Sequence, residues 1–140
     1  MPIAAEILSV LALLAPGATP VDVTHRRDVQ QMTTIAVRYW RRPACPVRVL
    51  EVWQMRWSTG TTGWDQGGFE PAAAVALPGH CTIVLSRAAF RGTLGRQERC
   101  RTIAHEVGHL HGYAHRRYRS DPHGVMLDEG TPLRCERYTP

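Results

Sequence analysis

Residues 105–115 read HEVGHLHGYAH, with four histidines, one carboxylate and two glycines in eleven positions. On a helix, residues four apart lie one above the other, so His105 and His109 present their imidazoles to one point. Imidazole nitrogen is a ready ligand for zinc, and a catalytic zinc takes three protein ligands and keeps a fourth position for water. Glu106 stands one step round the helix, near such an ion without binding it, where a carboxylate can act as general base. The third ligand must come from another direction. Continued as helix, the chain would carry His115 about 240° round and about 9 Å along from His109. Gly112 removes the difficulty, because glycine adopts the left-handed conformation that ends a helix and turns the chain back. The expected centre is one Zn2+ ion on His105, His109 and His115, with Glu106 as the base.

These side chains need elements to position them. Residues 96–112 form the clearest helix, with Ile103, Val107 and Leu110 on the face opposite the histidines, where they fasten it to a core. Between Thr24 and Arg41, the apolar residues Val29, Met32, Ile35, Ala36 and Tyr39 recur at helical steps, and Pro43 ends the run. Residues 47–55 alternate as a strand does, with Val47, Val49 and Glu51 on one side and Arg48, Leu50 and Val52 on the other. Residues 56–71 are rich in Gly, Thr and Ser and read as a loop. A short strand over 72–79 closes at Pro78-Gly79, and 81–87 is the clearest strand. From Tyr113 onward the chain reads as turns and short pieces. Helix, strands, long helix and irregular tail make an α+β domain.

At 140 residues with 44% hydrophobic content, the chain suits one domain with one core, and no repeat or heptad run is visible. Residues 21–140 are read as that domain. Residues 1–20 are an apolar run, either a signal peptide or an N-terminal helix, and too short to span a bilayer. Cys45, Cys81, Cys100 and Cys135 form no C-x-x-C pair, which speaks against a structural zinc knuckle. They suit disulfides in an oxidising compartment, with three pairings open. The 17 basic residues against 12 acidic give a net charge of +5. That field attracts anions, but no nucleic-acid motif accompanies it and no nucleic-acid partner is expected. Arg116–Arg119 (RRYR) reads as a solvated basic loop, His123 as a surface loop residue, and His111 as a half-exposed or hydrogen-bonded flank of the helix.

HEVGHLHGYAH also matches H-E-x-x-H-x-x-G-x-x-H at every fixed position, and the chain resembles the metzincin clan of zinc endopeptidases, matrixin- or snapalysin-like in size. The resemblance implies a small twisted mixed sheet, an N-terminal helix, an active-site helix and an irregular C-terminal part. It implies a buried methionine turn, for which Met126 in DPHGVM is placed eleven residues past His115. It further implies a monomeric peptide hydrolase acting on a protein or peptide substrate. That substrate would lie extended along an edge strand formed by Thr82, Ile83, Val84, Leu85 and Ser86. Asp128 stands where some relatives carry a tyrosine two residues after the methionine, so no tyrosine contact is implied. Two alternatives stand beside this reading. One is a zinc-binding module that no longer cuts. The other is a gluzincin-type site with Glu129, 20 residues past His109, as third ligand, although Pro and Gly break any helix there. Export from the cytoplasm is expected, with a cytoplasmic or phage-associated protease as the alternative.

Overall fold

Helix α1 (Arg27–Trp40) occupies the segment foreseen between Thr24 and Arg41, and it buries Val29, Met32, Ile35, Ala36, Tyr39 and Trp40. The computed structural model of the chain describes residues 19–41, 45–53, 55–58, 69–72, 74–90 and 92–127. Residues 1–18, Pro43, Asp128, Glu129 and Cys135 lie outside them, as do the expectations that rest on those residues. Asp28 in the first turn of α1 meets the helix's positive end. It also bonds Arg26 at 2.7 Å and Arg99 of the long helix at 3.3 Å. Arg41 ends α1 in a left-handed conformation, φ 55°.

Strands β1 (Val21–Asp22), β2 (Arg48–Val52), β5 (Ala74–Leu77) and β6 (Thr82–Ser86) form a mixed sheet in the order β1-β2-β6-β5. β2 and β6 are parallel, with Arg48 opposite Thr82, and the two outer pairs are antiparallel. Strand 82–86 is therefore interior. Its backbone is paired on both sides and all five residues are buried, so it offers no free edge to a substrate. That corrects the expectation for Thr82, Ile83, Val84, Leu85 and Ser86. The unbroken apolar Ile83, Val84 and Leu85 suit burial on both faces, whereas an edge strand with one wet face would alternate. A second correction concerns the segment read as a loop. Met55–Ser58 (β3) and Phe69–Ala72 (β4) pair antiparallel, Met55 opposite Ala72. Trp57 and Phe69 favour strands, and the Gly- and Thr-rich tract between them masked that preference.

The two faces of the sheet have separate tasks. Val49, Ile83 and Leu85 pack under α1 and the long helix α2 (Gly92–Leu110), in one core with Cys100, Ile103, Ala104, Val107, Val125 and Met126. Leu50, Val52 and Val84 form a smaller cluster on the reverse face with Val75 and Leu77. Each fully buried Leu, Ile or Val stabilises the fold by roughly 1.5–3 kcal/mol, so the first cluster holds α2 in place. Cys45 and Cys81 are joined by a disulfide just ahead of β2 and β6, tying together the starts of the two parallel strands. Cys100 is likewise disulfide-bonded. Among the described residues, no helix is long and apolar enough to cross a membrane.

Candidate metal centre

Helix α2 brings His105 and His109 to one face, with Ile103 and Val107 fully buried against the core on the other. The helix then stops where the glycine rule places the stop. Gly112 has φ 88°, the Gly112 N–H bonds the His109 carbonyl at 2.9 Å, and the Tyr113 N–H bonds the Gly108 carbonyl at 3.0 Å. These two bonds satisfy carbonyls that a helix end otherwise leaves open. The reversal returns His115. The three Nε2 atoms meet, 3.1 Å apart for His105 and His109, 3.1 Å for His105 and His115, and 2.8 Å for His109 and His115.

Hydrogen bonds at the far side of the rings decide what that meeting is for. His105 Nδ1 is 2.8 Å from the Val125 carbonyl, and His109 Nδ1 is 2.8 Å from the Tyr113 carbonyl. A carbonyl only accepts, so each Nδ1 carries a proton, which in a neutral ring leaves the Nε2 lone pair facing the cluster. Two lone pairs at 3.1 Å have no hydrogen to share, and His115 can supply one of them at most. A cation satisfies all three. Ligands about 2.0–2.1 Å from a tetrahedral zinc stand about 3.3 Å apart, close to the spacing observed. His105, His109 and His115 can thus hold a metal ion. The two carbonyls are the outer partners that fix ring orientation in such sites.

Glu106 is 7% exposed beside this cluster. Burial pushes its carboxyl up to about 7. Burial also lowers the His109 pKa, opposed by the Tyr113 carbonyl and reinforced by His115. His111 is half-buried on the helix flank and stands apart from the cluster of three. Met126 is fully buried. It packs on α2 at Gly108, where a Cβ would overlap its sulfur and the Trp40 ring, so a larger residue there would force Met126 or Trp40 to shift.

Sequence reasoning missed the residue that holds this turn. Asp121 is 4% exposed, and its carboxylate accepts the N–H groups of Val125 at 2.8 Å and Met126 at 2.9 Å and the hydroxyl of Tyr39. Tyr39 in turn accepts the His123 N–H at 3.0 Å. Asp121 so fixes the segment whose Val125 carbonyl orients His105. The S-D-P-H-G stretch signals a turn, but nothing in it points to Tyr39. A groove of about 320 Å³ opens beside His105, walled by Phe90, Glu98, Arg101, Thr102, Val125 and Leu127. Arg101 in that wall donates to the Leu127 carbonyl at 2.8 Å. Comparison with protein-family models, with curated proteins and with solved structures found no match to this chain.

Proposed function

We propose that this protein is a zinc-dependent endopeptidase of the metzincin kind. The observation that carries the reading is the meeting of three imidazole Nε2 atoms, two of them forced by carbonyls to present lone pairs. A zinc ion held there supplies Lewis acidity, lowering the pKa of a bound water toward about 7 and polarising a carbonyl. Glu106, buried one position from His105, accepts the proton of the attacking water and hands it to the leaving amine. The groove beside His105 receives a substrate side chain. Strand β5, outermost in its sheet among the described residues and half-buried along its length, takes the place of 82–86 as the edge to which an extended peptide adds. The buried Met126 fills the role of the methionine turn, and the Cys45–Cys81 disulfide favours an oxidising, extracytoplasmic compartment.

The test begins with metal content. The purified chain is expected to carry close to one zinc, and His115→Ala to lose most of it. Casein or a peptide library is expected to be cleaved by the zinc-loaded protein. Glu106→Gln should keep the zinc and lose roughly 100-fold or more of the rate. Full zinc occupancy with no cleavage of any peptide would leave a binding module in place of an enzyme.

A further inference from the structure

The loop that returns His115 carries Arg116, Arg117 and Arg119, and these arginines part company. Arg116 is occupied, its Nε donating to the Tyr118 hydroxyl at 2.9 Å and its guanidinium lying 5.0 Å from that ring's centre. Arg119 faces a different neighbour. With Arg38 and Arg41 from the end of α1 it lines a cavity of about 440 Å³, whose walls also include Tyr39, Ser120 and His123. That volume lies within the roughly 300–1,000 Å³ of small-ligand sites.

Charge sets this cavity apart. Among the described residues, no carboxylate lines it. Arg26, Arg48, Arg87 and Arg99 all reach an Asp or Glu, whereas Arg38, Arg41 and Arg119 form no ion pair among the described residues. Three like charges round one space repel each other and concentrate a positive potential there. Arg38 has a local reason for its place, since a cation in the last turn complements the helix's negative end. Arg41 has none. It sits at φ 55°, a position where glycine is at ease and an L side chain is strained. Arg119 arrives from another part of the chain altogether.

Guanidinium forks match phosphate oxygens two at a time, and forks from separate elements suit an anion with several oxygens and more than one charge. We propose that this cavity binds a compact phosphate anion, a phosphoryl or diphosphoryl group, through Arg38, Arg41 and Arg119, with the Ser120 hydroxyl as a further donor. The site is separate from the histidine cluster and does not depend on what that cluster does.

Isothermal titration of the full chain with inorganic pyrophosphate, at physiological salt, tests this. One pyrophosphate per chain is expected. Arg119→Gln and Arg41→Gly should each weaken it about tenfold or more, as loss of a charged hydrogen-bond partner does. Arg41→Gly also relieves the left-handed backbone, so its melting temperature should not fall, and weaker binding is then not a failure to fold. Arg27→Gln removes the same charge at the other end of α1, about 16 Å away, and should stay within about twofold. His115→Ala should do the same. A nucleoside diphosphate titrated in parallel tells an esterified group from the free anion, and saturable binding of either supports the site. Three results would overturn it. One is no saturable binding of either ligand. Another is equal weakening by Arg27→Gln, which indicates a diffuse field. The last is loss of binding in His115→Ala, which assigns the anion to the histidines.

Discussion

Both helices end on a left-handed residue, yet the two ends are built in opposite ways. At the end of α2, Gly112 takes φ 88° without strain, and two backbone bonds close the turn. There the path of the chain decides where His115 lands. At the end of α1, Arg41 takes φ 55° with one bond of 3.2 Å back to Arg38, and side chains do the fastening. Trp40 stacks on Tyr113 at 4.7 Å, and the Tyr39 hydroxyl bonds the Asp121 carboxylate. One loop, 113–127, joins both ends. The backbone sets its start and side chains from α1 hold its later part. The histidine cluster therefore depends on a glycine on one side and on a carboxylate clamp on the other.

The largest effect should come from breaking the clamp. Asp121→Ala leaves two buried N–H groups and the Tyr39 hydroxyl without their acceptor. At roughly 1–1.5 kcal/mol for each, the loss of stability is about 4 kcal/mol. Because Val125 then no longer orients His105, zinc affinity should fall roughly 10–100-fold as well. Urea unfolding and a competition titration with a zinc chelator measure the two. If Asp121→Ala unfolds at the wild-type urea concentration and keeps its zinc, the α1 side contributes nothing to the centre and the comparison collapses.

A slightly smaller effect probes the α2 side through pH. Glu106 has its folded pKa raised to about 7 by burial, from an ordinary value of 4.5. Folding therefore favours the protonated carboxyl. That contribution is complete below about pH 4.5 and is lost progressively as pH rises to 7, reaching about 3 kcal/mol. Chelator-treated wild-type protein should thus lose stability relative to Glu106→Gln over this window. A cation on the histidines favours the carboxylate, so loading with zinc should shrink the difference. An equal pH slope in both proteins would mean that Glu106 is solvated, not buried beside the cluster.

What the sequence disclosed follows the range of the rules involved. The pairing of His105 with His109 and the stop at Gly112 are local consequences of helix geometry, readable from offsets of four and three. The face of α1 was readable for the same reason. The place of β6 was not. TIVLS announces a strand, but its two neighbours, β2 from 34 positions earlier in register and β5 just before it, are chosen by the whole sheet. Asp121 was hidden in the same way, since its carboxylate meets a hydroxyl 82 residues away. A similar distance in sequence concealed the cavity between Arg38 and Arg119. Local periodicity carries no information about which surfaces later face each other.

The smallest effects separate the two helix ends most cleanly. Nothing lies within 4 Å of a Cβ built on Gly112, so Gly112→Ala meets no clash and pays only for its left-handed backbone, about 1 kcal/mol. Its effect on zinc should be larger than that figure suggests, because relaxing the turn moves His115 away from the other two rings. Arg41→Gly is the mirror experiment. It should raise stability by a few tenths of a kcal/mol, up to about 1, and leave zinc affinity at the wild-type value. Thermal melts and chelator competition on the pair give a two-by-two outcome. If Arg41→Gly also weakens zinc, then the end of α1 sets the path of the loop by its backbone too. The distinction between a backbone-built and a side-chain-built helix end then fails.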